Sequence, residues 1–276
     1  METVSEQRCF GGVQGFYTMA SRACGGPMKF GVFTPPQAAH RKVPVLYFLA
    51  GLTCAPETFL IKAGAQRLAA ELGLLLVGPD TSPRDTGIEG ATGDWEFGEG
   101  AGFYLDASQA PWSARFNMEA HVVEELPAVI AEHFNIDPDA AGLCGHSMGG
   151  HGALTLALRH PGRYRSVSAL APIVAPTQVP WGRKALPRYL GADEAAWQAH
   201  DACALLRAGH RFDGEILVDQ GQADPFLDKQ LQPWRLREAC QVAGQALSLR
   251  LHAGYDHSYW FVQSFIGDHL RLHSLR

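Results

Sequence analysis

A mostly parallel β-sheet covered by helices on both faces is the fold class this sequence predicts, and three observations predict it. Short apolar runs alternate with longer amphipathic stretches through the interior. Most of the runs are apolar on both faces, as strands buried on both sides of a parallel sheet are. Neither a repeat nor a Ser/Gly linker divides the 276 residues, so 1–276 is expected to form a single α/β domain.

The elements follow in order. The first 20 residues, rich in Gly and aromatics, predict an antiparallel hairpin on the sheet edge. Strand-like runs come at Phe30–Thr34, Val45–Ala50, Leu74–Val77, Ala141–Cys144, Ser166–Leu170, Ile216–Val218 and Leu247–Leu251. Between them, helical spacing of apolar residues marks Glu57–Leu72, Met118–Phe134, Met148–His160, Phe226–Ala243 and Ser258–Leu272. Two segments break the alternation. Residues 79–116 are irregular and rich in Gly, Asp and Trp, and residues 171–200 carry Pro172, Pro176, Pro180 and Trp181. Each follows the carboxyl end of a predicted strand, the end at which open α/β sheets bind ligands, so both are expected to be functional loops.

Composition removes whole classes of function. Apolar residues make up 46% of the chain and charged residues 18%, which excludes disorder as the main state. A net charge of −5 with no basic patch excludes nucleic acid as a partner. The longest apolar run, around Val43–Leu52, contains Pro44 and Gly51 and is too short to span a bilayer. Residues 1–8 are polar and acidic, unlike a signal peptide, so a cytoplasmic location is expected. Cys9, Cys24, Cys54, Cys144, Cys203 and Cys240 are scattered without a C-x-x-C pair, which reads as six free thiols.

The sharpest local signal is Gly145-His146-Ser147-Met148-Gly149, a G-x-S-x-G match. With this composition, chance gives about 0.14 such matches in a shuffled chain, so the match alone is weak. Its setting is not. It follows a buried strand and opens a helix, as a nucleophile elbow requires, and Gly145, Gly149 and Gly150 let neighbouring backbone approach the serine.

A serine hydroxyl needs a base, and the base needs a carboxylate to fix its tautomer. In an elbow hydrolase the order is Ser, acid, His. Asp219 and Asp224 surround the loop after Ile216–Val218, and His252 and His257 surround the loop after Leu247–Leu251. Asp219 and His252 abut their strands, which suits a turn-capping and a packing role. Asp224 and His257 lie farther out, where they can lean toward the elbow, and are preferred as acid and base. The Met148 N–H is the expected first oxyanion donor, and the Leu52 N–H, in the Gly51-Leu52-Thr53-Cys54 turn after an early strand, the second.

Other signals fade. Gly98-Glu99-Gly100-Ala101-Gly102 lacks the lysine and the strand–helix setting of a phosphate loop. His146 and His151 flank the elbow as packing residues. His269 and His273 have helical i, i+4 spacing but no third ligand, so they read as a solvated helix face and no metal is expected.

At these residues the chain resembles the S-formylglutathione hydrolase, or esterase D, family, from about Phe10 to His273. The resemblance is carried by Gly51-Leu52-Thr53-Cys54, Pro79-Asp80-Thr81-Ser82-Pro83-Arg84, Asp94-Trp95-Glu96-Phe97-Gly98, Gly145-His146-Ser147-Met148-Gly149-Gly150-His151-Gly152-Ala153, Pro180-Trp181-Gly182 and Gly254-Tyr255-Asp256-His257-Ser258-Tyr259. It implies an α/β-hydrolase fold and a triad of Ser147, Asp224 and His257. It also implies hydrolysis of a small-molecule glutathione thioester to glutathione and formate, no cofactor or metal, and a homodimer. Cys54, close to the oxyanion turn, and Trp181 become expected pocket-wall residues. The chain departs from the family pattern at Met19, where His is common, at Asp85, where Gly is usual, and at Pro225, where a polar residue follows the acid. Phe116-Asn117-Met118 also replaces a more basic aromatic stretch. These departures bear on substrate preference rather than on the triad. The competing readings are a carboxylesterase of short acyl esters, an acyltransferase, and a binding module on an inactive hydrolase scaffold.

Overall fold

The computed structural model describes residues 1–274, and at its centre is a nine-stranded mixed sheet with the strand order β1-β2-β3-β5-β4-β6-β7-β8-β9. The strands are β1 Glu2–Cys9, β2 Gly12–Ser21, β3 Gly26–Thr34, β4 Val43–Leu49, β5 Leu75–Pro79, β6 Ile136–His146, β7 Ser166–Leu170, β8 Ile216–Gly221 and β9 Leu247–His252. The first three form an antiparallel meander whose third strand pairs antiparallel with β5. From β5 onward every pairing is parallel. The central strands are buried along nearly their whole length, because helices cover both faces and leave no wet side for polar residues.

The helices are α1 Pro56–Lys62, α2 Gln66–Leu72, α3 Met118–Ala120, α4 Leu126–His133, α5 Met148–Arg159, α6 Pro180–Leu190, α7 Glu194–Gln198, α8 Ala202–Arg207, α9 Pro233–Ala243 and α10 Tyr259–Ser274. The helix expected over Glu57–Leu72 is two, broken at Gly64 with its φ of 63°. The stretch Met118–Phe134 likewise changes to a π-helical turn over His121–Glu125 between α3 and α4. Residues 79–116 are irregular as expected. Residues 171–200 are not, since they contain α6 and α7. Their prolines suggest a loop, but Pro180 opens α6, where its missing N–H costs nothing, and Pro187 falls near its end. No helix among the described residues is long and apolar enough to cross a membrane.

The topology fixes where a site can form. From β4 the chain moves to β5 on one side and later to β6 on the other. The carboxyl ends of β4 and β6 therefore flank a switch point, the crevice where such sheets bind ligands. Helix α5 starts there and is buried from Met148 to Leu158, as its run of Gly, Ala and Leu allows.

Candidate active site

Ser147 follows β6 with φ 59° and ψ −119°, a strained conformation for a residue with a side chain. Its backbone is held from three sides. The Ser147 N–H donates to Leu170 O at 3.0 Å, and Ser147 O accepts from His151 N–H at 3.0 Å and Ile173 N–H at 3.3 Å. The glycines are there for backbone approach. A Cβ on Gly149 would lie 1.9 Å from Leu49 O, and one on Gly145 2.1 Å from Gly149 O. Helix α5 can therefore begin hard against the end of β4.

Asp224 and His257 meet across two loops. His257 Nδ1 lies 2.5 Å from Asp224 Oδ2, and the Asp224 carboxylate is shut off from water. The other carboxylate oxygen accepts from Phe226 N–H at 2.8 Å, and Gln220 Nε2 donates to Oδ2 at 3.2 Å. The loops are laced by Gln222 N–H to His252 O and Ala223 N–H to Tyr255 O, both at 2.9 Å. Only glycine fits at 221, where a Cβ would meet Tyr255 O at 2.3 Å. The His257 ring rests on His146, the residue before Ser147, with centroids 4.6 Å apart, and meets Phe226 edge-on at 5.1 Å. Burial, then the neighbouring His257, pushes the His146 imidazole well below its ordinary pKa, so it stays neutral beside the elbow.

The turn after β4 lies against the elbow, since a Cβ on Gly51 would be 3.1 Å from Ser147 Cβ. Neither the Leu52 N–H nor the Met148 N–H has a hydrogen-bond partner among the described residues, whereas the adjacent Thr53 N–H donates to Gly100 O at 2.8 Å and Cys54 N–H to Gly51 O at 3.2 Å. Thr53 itself has a φ of 68°.

Sequence reasoning missed what holds this turn. Arg84 donates to Cys54 O at 2.8 Å and to Asp80 Oδ1 at 2.7 and 3.0 Å. The Thr81 hydroxyl donates to the same Cys54 O at 2.7 Å, and the Tyr104 hydroxyl to Ala50 O at 2.9 Å. Residues 79–116 thus clamp the turn from both ends. The dense Pro79-to-Arg84 motif was the available signal, but it names no partner.

Of the other expected residues, Cys54 is half-buried beside this turn. Trp181 is buried at the start of α6, donates from Nε1 to Glu96 at 2.9 Å and packs on Phe226 with centroids 4.8 Å apart, one ring removed from His257. Asp219 is no turn cap. Its carboxylate is fully buried and receives Arg250 Nε at 2.6 Å, His252 at 2.9 Å and His269 at 3.0 Å. His252 also stacks on Phe265 at 3.7 Å. His269 and His273 are not a solvated face: both are buried against the sheet. The second nitrogen of His269 faces the Cys144 thiol at 3.8 Å, and His273 bridges the Ser166 and Ser168 hydroxyls at 2.6 and 2.8 Å. No cluster suited to a metal occurs among the described residues, and all six cysteines are free. His151 packs beneath the elbow on Phe103 O at 3.0 Å, and burial lowers its pKa to about 4.

Asp85 has a φ of 51°, the left-handed region that glycine favours, and its N–H is held by Glu99 at 3.0 Å. Met19 is buried in β2 and Pro225 is exposed.

Comparison with known proteins adds three findings. A family model described as "Putative esterase" matches residues 21–272. The chain is 51% identical over 275 residues to the S-formylglutathione hydrolase of Paracoccus denitrificans (strain Pd 1222), covering 100% of this chain and 98% of the relative. Its fold superposes with a TM-score of 0.98 on an S-formylglutathione hydrolase from Agrobacterium tumefaciens, at 48% identity, over 100% of this chain and 99% of the other. A ferulic acid esterase from Anaeromyces mucronatus matches with a TM-score of 0.69 at 19% identity, over 100% of this chain and 93% of that one, a likeness of fold alone.

Proposed function

The chain belongs to the esterase family, and from that premise we propose that it hydrolyses S-formylglutathione to glutathione and formate through an acyl-serine intermediate. The observation that carries the chemistry is the 2.5 Å bond between His257 Nδ1 and the water-shielded Asp224 carboxylate, at the sheet edge where Ser147 is held in its strained turn. That bond fixes the imidazole with Nε2 unprotonated and able to accept a proton.

In the first step the Ser147 hydroxyl attacks the formyl carbon while His257 takes its proton. The negative charge that develops on the carbonyl oxygen is received by the Leu52 and Met148 N–H groups, whose lack of any internal acceptor supports this role. The C–S bond then breaks. With a thiol pKa near ~8.5, glutathione departs more readily than an alkoxide, and its sulfur takes up the proton held by His257, which restores the base. In the second step water, deprotonated by His257, attacks the formyl-serine; the bond to Ser147 Oγ breaks, His257 returns the proton to that oxygen, and formate leaves. Trp181 and Cys54 form part of the pocket wall. Six free thiols favour a reducing, cytoplasmic setting.

The test is kcat/KM for S-formylglutathione beside a short p-nitrophenyl ester, with Ser147→Ala as control. A large preference for the thioester that vanishes in Ser147→Ala supports the proposal. Equal or better turnover of the simple ester would reduce the function to a short-acyl carboxylesterase.

A further inference from the structure

One surface beside the proposed site is not used by the chemistry above. The end of α1 and the first turn of α10 enclose a groove of about 570 Å³ lined by Lys62, Ser258, Tyr259, Trp260 and Gln263. Its size falls within the usual range for small-molecule sites, roughly 300–1,000 Å³. It begins one residue beyond His257. Tyr259 spans from the groove to the elbow, with its ring edge-on to His146 at a centroid distance of 5.7 Å and its buried hydroxyl beside the Cys54 thiol.

Two lining residues are in unusual states. Trp260 is 77% exposed, an indole offered to solvent with nothing packed over it. Lys62 is an exposed cation within electrostatic range of Cys54. Lys184 and Arg188, on α6, are paired with Asp94 and Glu96, but Lys62 has no carboxylate partner among the described residues. The acid that flanks the groove on the α10 side, Asp256, accepts instead from the Ser258 N–H at 2.9 Å and hydroxyl at 2.6 Å, just ahead of α10.

We propose that this groove is the seat of the leaving group, with the Lys62 ammonium pairing a carboxylate of the glutathione tripeptide and the Trp260 indole covering its peptide stem. The inference rests on the function proposed above and adds the residues that would distinguish a glutathione thioester from a simple ester. The leaving group is a flexible peptide with two carboxylates. A flat indole beside an unpaired cation matches that chemistry, whereas an uncharged p-nitrophenyl ester has nothing for Lys62 to hold.

The experiment measures kcat/KM for S-formylglutathione and for p-nitrophenyl acetate, at low and high salt, in the wild type, Lys62→Gln, Lys62→Glu and Trp260→Ala. The readout is the ratio of the two specificity constants, which cancels any general loss of folded enzyme. An exposed ion pair predicts about a fivefold fall in the ratio for Lys62→Gln, carried by KM for the thioester, and a larger fall for Lys62→Glu. Salt should lower the wild-type ratio and leave that of Lys62→Gln unchanged. A ratio that stays within experimental error of wild type in Lys62→Glu overturns the subsite while the function stands. Wild-type enzyme that cleaves the ester but not S-formylglutathione overturns the function, and the subsite with it.

Discussion

Arg84→Met should separate the stability of the turn clamp from its service to the chemistry. Arg84 joins three groups: the buried Asp80 carboxylate, the Thr81 hydroxyl at 3.2 Å and Cys54 O, two residues beyond the Leu52 N–H. Asp80 is the vulnerable partner. Its side chain is 4% exposed against 32% for Arg84, and burial pushes its pKa up while Arg84 pulls it down. Breaking a fully buried pair costs about 3–5 kcal/mol. Arg84 keeps a third of its side chain in water, and water can enter in its place, so a loss of about 1–3 kcal/mol is expected here. For a chain of this length that is a fall of about 2–5 °C in Tm. Cys54 O retains the Thr81 hydroxyl, so the turn should loosen rather than collapse. Outright loss of an oxyanion donor costs about 2.7–4 kcal/mol, and a displaced one less, so kcat should fall about tenfold with KM within about twofold. The assay is thermal melting with steady-state kinetics on Arg84→Met and on Asp80→Asn/Arg84→Met. The double variant removes the orphaned carboxylate and should regain most of the Tm without regaining kcat. Wild-type kcat in Arg84→Met, or recovery of kcat with Tm in the double variant, would refute the reasoning.

Three further outcomes are expected. Asp224→Asn should lower kcat about 10⁴-fold with little change in KM, because the amide favours the wrong tautomer of His257, and steady-state kinetics on a folded sample will show it. Asp219→Asn should destabilise the protein at pH 7 by about 3–5 kcal/mol, read by urea titration, because Arg250, His252 and His269 lose a shared anion. The Asp219 carboxyl is held below its ordinary value, so its stabilisation is complete above the unfolded value near ~3.9 and is lost as pH falls through the folded one. Below about pH 4 the gap between wild type and Asp219→Asn should therefore narrow. His151 behaves in the opposite sense to a paired histidine. Buried and neutral with a pKa of about 4, it resists a proton that the unfolded chain accepts at about 6.5, so it should withdraw about 3 kcal/mol as pH drops through that window. His151→Gln, which can still donate to Phe103 O, should flatten the slope of urea stability between pH 6.5 and 4, and an unchanged slope would sink the assignment.

What could be read in the sequence divides by where each residue finds its partner. Ser147 was legible because strand, glycines and helix are contiguous, and the strain is encoded within five residues. Asp224 and His257 were legible by the rule that functional side chains leave the carboxyl ends of strands, although nothing local says that their loops touch. The Arg84 clamp was not, because its acceptor lies 30 residues earlier, on a backbone carbonyl that carries no sequence identity at all. Helix α6 was hidden for a different reason. Proline is read as a breaker wherever it stands, yet at the first position of a helix it removes no bond, and at Pro187 it removes a single bond, the one its N–H would make to Arg183 O. The histidines of α10 show the error that could have been avoided. Val262, Ile266, His269, Leu270 and His273 form one stripe at helical spacing, and all are buried. Reading polarity residue by residue put the histidines in water. Reading the stripe puts them on the sheet, where each must find a hydrogen-bonding partner or pay for burial, and Asp219, Ser166 and Ser168 on β8 and β7 supply those partners. The position of a polar residue on an apolar stripe is thus itself the signal for a buried network.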